Sequence, residues 1–211
     1  MILYCVRHGE SCYNAEGRIQ GQSNTPLSSL GLRQAQAVAD ALRPLAIDAI
    51  YCSPLERARQ TAKPLADALR LEVRVDPRLM EIHVGIFQDK LHTEIADAFP
   101  QETARWRASE ADYRIPGGES RRDLMLRGGA AFEAIHAAGH SRAVVVSHGG
   151  TFASAFKALL GISAERNPFS LYNASISQVN WSKQFKLLTL NDTRHLAAAD
   201  CERISTSAEF F

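Results

Sequence analysis

The hydrophobic pattern of the chain predicts short strands that alternate with amphipathic helices. Three apolar runs, at residues 2–6, 47–52 and 143–147, contain β-branched side chains and are too short for ordinary helices, so we predict buried strands there. Weaker patterns predict three more strands: an edge strand at 72–75 and a terminal pair at 177–181 and 185–190. Strands separated by helices indicate an α/β fold with a mostly parallel central sheet.

Capping residues and apolar faces indicate where the first helices lie. Ser28 is predicted to cap a helix that ends near Arg43. Its apolar face is expected in the core and comprises Leu32, Ala35, Val38, Ala39 and Leu42. Ser53 and Glu56 fit a capping box with a proline between them, which predicts a second helix that Pro64 should kink or shorten.

The remaining segments predict a long loop, a small helical region and two further helices. Residues 11–26 are rich in Gly, Asn, Gln and Ser and lack periodicity, which is typical of a functional loop. Residues 90–113 are helical in pattern, and we expect their aromatic side chains to pack a small cap: Phe99, Trp106 and Tyr113. Helices are predicted at 120–138 and 151–160, and the last residues should form a loose tail.

Charged side chains follow the apolar strands. Arg7 and His8 end the first strand, where Gly9 allows a tight turn and the close approach of an anion. His148 ends the strand at 143–147, and Arg57 lies in the first turns of the helix after residue 52. Because parallel strands deliver such groups to one edge of the sheet, two histidines and two arginines should converge there.

Composition limits the classes of partner and compartment. The 211 residues fit one domain, and their formal net charge of +1 argues against a nucleic-acid or anionic-membrane surface. No apolar run approaches the roughly 20 residues of a membrane span, and the first residues lack a signal-type pattern, so we expect a cytoplasmic protein. Cys5, Cys12, Cys52 and Cys201 are scattered, as expected for small buried residues outside disulfides.

The ordered set of motifs resembles the histidine phosphatase superfamily, the phosphoglycerate-mutase-like proteins. The matching segments, which span most of the chain, are Arg7-His8-Gly9, Asn14, residues 17–21, residues 53–61, Glu81 and residues 147–150. The resemblance implies a three-layer α/β/α sandwich with a small helical cap. It thus implies a single domain over residues 1–211 with a cap insertion at about 86–116.

The resemblance also implies a reaction. His8 would attack a phosphomonoester and form a phosphohistidine that water hydrolyses, with Glu81 as proton donor and then proton acceptor. Arg7, Arg57 and His148 would bind the phosphoryl oxygens, and the two guanidinium groups would also disfavour protonation of His8.

The other expected substrate contacts are Asn14, Gln20, Gly21 and Gly149. The scheme requires neither metal nor cofactor, and its substrate is a small phosphomonoester. A homodimer could form through an exposed edge strand or helix.

Other enzyme classes fit the sequence less well. His136 and His140 are four residues apart, but Gly139 should end the helix between them, and no zinc-protease motif is present. Cys52 and Arg57 are one position too close for a cysteine-phosphatase loop. The Gly-x-Ser-x-Gly elbow of serine hydrolases is absent. Residues 139–143 differ from it only in their last residue, but they precede the predicted strand, whereas the elbow follows one.

Within the resembling family, a phosphatase and a cofactor-dependent phosphoglycerate mutase are the alternatives. Mutases of the family tend to carry a longer insertion between the acid and the second histidine. This chain is compact between Glu81 and His148, which favours the phosphatase. A regulatory protein that binds a phosphate ligand is the non-enzyme alternative. Two departures leave specificity open: Asn24-Thr25 replaces a common acidic residue, and residues 86–88 replace a usual Trp-containing stretch.

Overall fold

A computed structural model describes residues 1–201, and the predicted terminal tail lies in residues 202–211, outside the described part. Six strands form one sheet: β1 Ile2–Arg7, β2 Ala49–Cys52, β3 Val73–Val75, β4 Arg142–Ser147, β5 Ile176–Trp181 and β6 Phe185–Asp192. Within residues 1–201 there are eight α-helices: α1 Cys12–Glu16, α2 Ser29–Leu42, α3 Glu56–Leu69, α4 His92–Ala98, α5 Pro100–Arg107, α6 Arg121–Ala137, α7 Gly149–Leu160 and α8 Arg194–Ala198. The predicted α/β fold class is confirmed.

The sheet brings the ends of three parallel strands to one edge. Its strand order is β3-β2-β4-β1-β5-β6, with β1 to β4 parallel and with β5 antiparallel to both β1 and β6. In register, Arg7 pairs with Ser147 and Cys52 pairs with Val146. The residues that follow β1, β2 and β4 therefore start from the same edge of the sheet.

Side chains in the middle of β4 alternate between two apolar layers, which explains why residues 143–146 are all apolar. Val144 and Val146 pack with residues of α2 and α3, whereas Ala143 and Val145 pack with residues of α6 and α7. Because a strand covered on both faces has no solvent side, all four positions between Arg142 and Ser147 are hydrophobic. These two helical layers and the sheet form the expected three-layer sandwich.

A third apolar cluster lies with α4 and α5. Trp106 and Tyr113 are buried in it, and Phe99 packs against it, so the three aromatic side chains pack with protein as predicted. The cluster also contains Ile82, which follows the predicted acid Glu81 directly. That residues 86–116 act as a cap over the site stays a prediction.

Two predictions about the first two helices are wrong. The segment 11–26 contains α1, which begins with a reciprocal capping box between Ser11 and Asn14 and is too short to show a period. Leu32 is 53% exposed, although it was expected in the core. The buried stripe of α2 includes Gly31, Val38 and Leu42, and Leu32 lies about 100° around the helix from Gly31.

The start and the middle of α3 also differ from expectation. Ser53 does not cap the helix; Leu55 is the N-cap residue, and it makes no side-chain cap hydrogen bond. The Ser53 hydroxyl contacts the ring of His148 instead. Pro64 does not shorten α3, which continues to Leu69 because Leu65 is buried in the layer against the sheet.

No helix among residues 1–201 combines the length and the apolar character needed to cross a bilayer. Cys5, Cys52 and Cys201 are buried, and Cys12 is partly exposed.

Candidate active site

His8 follows β1 directly, and its backbone contact selects one ring tautomer. The side chain is 3% exposed, and its Nδ1 atom lies 2.7 Å from the carbonyl oxygen of Gly9. Because a carbonyl only accepts hydrogen bonds, Nδ1 carries the proton in the neutral ring, and Nε2 keeps its lone pair. The ring therefore presents a nucleophilic nitrogen.

Both histidines of the site are held in the neutral form. Burial, followed by the charges of Arg57 and Arg7, lowers the pKa of His8 well below its ordinary value. His148 is fully buried, and burial followed by the charge of Arg57 lowers its pKa in the same direction. The two ring centroids are 5.1 Å apart, so the predicted pair of histidines does meet.

Ser53 determines how His148 is oriented. Its Oγ atom lies 2.8 Å from Nε2 of His148 and accepts a hydrogen bond from the N–H of Leu55. Nδ1 of His148 is buried and has no hydrogen-bond partner within residues 1–201. If Ser53 donates its hydroxyl proton to Nε2, the proton on Nδ1 is left for a ligand.

Two buried guanidinium groups supply positive charge. Arg57 donates from Nη1 to the carbonyl of Ser23 and from Nη2 to that of Gly21, both at 2.8 Å, and Arg7 donates to the carbonyl of Leu171. Burial lowers the pKa of each arginine to about 10, so both remain protonated at neutral pH. No carboxylate within residues 1–201 lies at ion-pair distance from Arg57. Its charge is thus available to an anion.

The loop residues predicted to touch the substrate are tied together. Asn14 Oδ1 accepts hydrogen bonds from the N–H of Ser11 and from Nδ2 of Asn173. Oε1 of Gln20 accepts from the hydroxyls of Ser11 and Thr25, each at 2.7 Å. Because both amide oxygens are engaged, each amide nitrogen is the group left to donate to a ligand.

Glu81 is bound to the first turn of α7. One carboxylate oxygen accepts from the N–H of Ile82 at 2.9 Å, and the other accepts from the N–H of Gly150 at 3.0 Å. The hydroxyl of Thr151 lies 3.3 Å from Oε1. Glu81, which is 7% exposed, is thereby fixed beside His148, the residue that precedes α7.

The glycines act through packing as well as through conformation. A Cβ on Gly9 would lie 2.7 Å from the carbonyl oxygen of Gly31, so the structure requires Gly9 for contact with α2 and gives no reason that involves an anion. Gly21 has a φ of +52° and holds Arg57 through its carbonyl. Gly149 is the first residue of α7, and its contact with substrate stays a prediction.

Asn173 and Thr61 complete the site, and neither was singled out as a site residue from the sequence. Asn173 is fully buried and donates to the carbonyls of His8 and Gly9 as well as to Asn14. Thr61 Oγ1 accepts from the N–H of Gly9 and donates to the carbonyl of Arg57. The only signal for Asn173 was a polar residue just before the strand at 177–181.

The two departures from the family pattern have local explanations. Asn24 Oδ1 accepts from the N–H of Glu56 at 2.7 Å and so supplies the missing cap of α3. Phe87 is buried in the cluster around α4 and α5, and Gln88 Oε1 accepts from the N–H of Gln22. Both replacements therefore support the loop that holds Arg57.

Comparison with known proteins identifies the family. The family model described as histidine phosphatase superfamily (branch 1) matches residues 3–193. The chain belongs to this superfamily. A relative from Proteus mirabilis (strain HI4320), named "Probable phosphoglycerate mutase GpmB", is 40% identical over an alignment of 207 residues, and the alignment covers 92% of this chain and 94% of the relative.

Solved structures of the superfamily share the fold. A mycobacterial glucosyl-3-phosphoglycerate phosphatase in complex with VO3 is 35% identical, with a TM-score of 0.82 and coverage of 91% of this chain and 99% of that one. The α-ribazole phosphatase from Shigella flexneri is 26% identical, with a TM-score of 0.84 and coverage of 91% and 96%. Superfamily members similar to this chain thus include both phosphatases and proteins named as mutases.

Proposed function

We propose that the protein is a phosphatase that hydrolyses small phosphomonoesters through a phosphohistidine on His8. The observation that carries the proposal is the hydrogen bond from Nδ1 of His8 to the carbonyl of Gly9, which leaves Nε2 unprotonated, in a ring that is subject to the charges of the buried Arg57 and Arg7. Phosphoryl transfer depends mainly on positioning and on charge stabilisation, and this arrangement supplies both.

In the first step, Nε2 of His8 forms a bond to phosphorus while the ester P–O bond breaks. Glu81 in its acid form gives its proton to the leaving oxygen. Arg7 and Arg57 donate to the equatorial oxygens, and Nδ1 of His148 and Nδ2 of Asn14 are the uncharged donors. In the second step, water attacks phosphorus, Glu81 takes a proton from that water, and the N–P bond breaks.

The second candidate is a phosphoglycerate mutase, which is favoured by the name of the Proteus relative. That relative is matched over 94% of its length, so the compact form of this chain does not separate it from proteins that carry the mutase name. The mycobacterial and Shigella structures support hydrolysis. In the mutase, the same phosphohistidine would return its phosphoryl group to a glycerate hydroxyl instead of water.

Turnover of p-nitrophenyl phosphate by the wild-type protein tests the proposal. We expect His8→Ala to abolish turnover and His140→Ala to retain it, because His140 precedes β4 at the edge of the sheet opposite the site. Conversion of 3- to 2-phosphoglycerate with the bisphosphate primer, faster than release of phosphate, would favour the mutase instead. Ligand binding without turnover of any phosphomonoester would favour a regulatory protein.

A further inference from the structure

Glu81, the proposed acid, lies in a segment without regular secondary structure. Residues 80–84 belong to no helix or strand, so their backbone groups need partners in other parts of the chain. The hydrogen bond from the N–H of Gly150 fixes one carboxylate oxygen of Glu81, but it does not hold the main chain that carries this side chain. The position of the acid therefore depends on the groups that bind the main chain of this segment.

A single arginine side chain binds three carbonyl groups of this segment. Nη1 of Arg127, in α6, donates to the carbonyls of Arg78 and Met80. Its Nη2 atom donates to the carbonyl of Glu81 and to one carboxylate oxygen of Glu119, both at 2.9 Å. Its Nε atom donates to the other oxygen of Glu119 at 2.7 Å. These five hydrogen bonds use all five N–H groups of the guanidinium group.

Glu119 extends the contact to the residues that follow Glu81. Its carboxylate accepts from the N–H of His83, and its own N–H donates to the carbonyl of His83, each at 2.8 Å. Burial alone would raise the pKa of Glu119, but the hydrogen bond from Arg127 outweighs burial and lowers that pKa, so the carboxylate is ionised at neutral pH. The side chains of Arg127 and Glu119 are 19% and 22% exposed, which shields this ion pair from solvent more than a surface pair.

The carbonyl of Glu81 has a second donor, which comes from the loop that holds Arg57. Nε2 of Gln22 donates to this carbonyl at 2.9 Å. Gly21 and Ser23, the neighbours of Gln22 in sequence, supply the two carbonyls that bind the guanidinium group of Arg57. The main chain of the acid is therefore bound both to α6 and to the loop that orients a proposed phosphate-binding group.

We propose that Arg127 and Glu119 are positioning residues, which hold Glu81 where it can transfer its proton to the leaving oxygen. The proposal rests on the proposed function, in which Glu81 is the proton donor. A general acid acts only within hydrogen-bond reach of the leaving atom, and a displacement of about 1 Å can cost about 100-fold in rate. The hydrogen bonds of the pair end on residues 78–83, so its loss displaces the acid, whereas His8 and Arg57 keep their own contacts.

The test compares two substrates of similar shape whose leaving groups differ in basicity. Phenyl phosphate lacks the nitro group of p-nitrophenyl phosphate, so its leaving oxygen is more basic and depends more on a proton donor. Because kcat/KM measures stabilisation of the transition state, the ratio of kcat/KM for phenyl phosphate to that for p-nitrophenyl phosphate reports the contribution of the acid. We expect this ratio to fall by about 10-fold or more in Arg127→Met, and by at least as much in Glu81→Gln.

Arg122→Met is the matched control and should keep the wild-type ratio. Arg122 also lies in α6, but its ion pairs are with the exposed Asp112 and Glu165. Arg127→Lys should recover part of the ratio, because an ammonium group can still pair with Glu119 and donate to a carbonyl. If Arg127→Met does not fold, as seen by thermal unfolding, Glu119→Gln gives the same comparison with little change in size, and we expect a fall of about 3-fold or more.

Three outcomes separate the positioning role from the proposed function. An equal loss of kcat/KM for both substrates in Arg127→Met and Glu119→Gln, while Glu81→Gln lowers the ratio, would overturn the positioning role and leave the phosphatase standing. An unchanged ratio in Glu81→Gln would overturn the assignment of the acid and the positioning role with it. No turnover of either substrate by the wild-type protein would overturn the proposed function itself.

Discussion

Removal of the Asn173 side chain should lower both stability and phosphate affinity. Asn173 is fully buried, and its amide group has two protons for three acceptors: the carbonyls of His8 and Gly9 and Oδ1 of Asn14. Each acceptor keeps another donor in Asn173→Ala, because Ala174 N–H, His8 Nδ1 and Ser11 remain. No acceptor is therefore orphaned, and the loss is that of two ordinary hydrogen bonds.

Two net hydrogen bonds correspond to about 2 kcal/mol of unfolding free energy. At about 2–4 °C per kcal/mol for a domain of this size, Tm should fall by about 4–8 °C. Asn14 also loses a contact that orients its amide, so the inhibition constant of inorganic phosphate should rise by about 10-fold, the equivalent of about 1.4 kcal/mol. Differential scanning calorimetry and competitive inhibition of p-nitrophenyl phosphate turnover measure these two quantities.

Asn180→Ala is the matched control, because Asn180 is half-buried in β5 and makes no side-chain hydrogen bond within residues 1–201. We expect it to change stability by less than about 0.5 kcal/mol. If Asn173→Ala matched Asn180→Ala in both Tm and phosphate inhibition, Asn173 would have no positioning role, and the reasoning would be refuted.

Three further predictions follow from contacts of the site. The pKa values of His8 and His148 are lowered in the folded protein. As the pH falls below about 6.5, these two rings therefore become protonated in the unfolded chain before they do in the folded protein. The free energy of unfolding should keep its full value above that pH and should decline below it by up to about 1.4 kcal/mol per pH unit for each ring. Calorimetry between pH 7.5 and 5 should show this slope, and a variant lacking both rings should show a smaller one; equal slopes would contradict the burial of neutral imidazoles. Ser53→Ala should lower kcat and change the tautomer of His148 seen in ring-nitrogen NMR spectra, and an unchanged spectrum would show that the hydroxyl does not select the tautomer. Gly31→Ala should prevent folding or strongly lower Tm, because its Cβ would lie 2.0 Å from the carbonyl oxygen of Glu10. Gly139→Ala, with open space around it, should cost only the strain of a left-handed residue, about 1 kcal/mol; similar Tm values would contradict the close contact of α2 with the segment that follows β1.

Most of the fold and of the site that could be predicted from the sequence followed from the motifs at the ends of the strands. The runs ending at Arg7 and Ser147 are apolar on both faces, so their strand character and their parallel pairing follow from composition and from the helices between them. Once those strands are parallel neighbours, His8 and His148, which follow them, must lie at the same edge of the sheet. Their meeting was therefore predictable without coordinates.

Contacts between distant segments were less accessible to sequence reasoning. Ser53 satisfies every local rule for a helix cap, yet its hydroxyl binds His148, and Asn24 caps α3 from another loop. Asn173 is far from His8 along the chain and reaches it because β5 pairs with β1. Local propensity cannot anticipate such contacts, since tertiary packing decides which partner a polar side chain meets.

Glu81 illustrates the limit for the chemistry. Without the family resemblance it is one acid among many, in a segment with no marked periodicity. Its assignment depends on the N–H groups of Ile82 and Gly150, which hold the carboxylate beside the histidine pair. Only the packing of this segment against the start of α7 creates that relation.

Trapping of the phosphoenzyme tests the central claim most directly. The wild-type protein would be mixed with a phosphomonoester labelled on phosphorus, quenched in alkali within the first turnover, and digested for peptide mapping. The account predicts stoichiometric label on the peptide containing His8, absent in His8→Ala and retained in His140→Ala. Label on another residue, or rapid turnover with no label on His8, would contradict it.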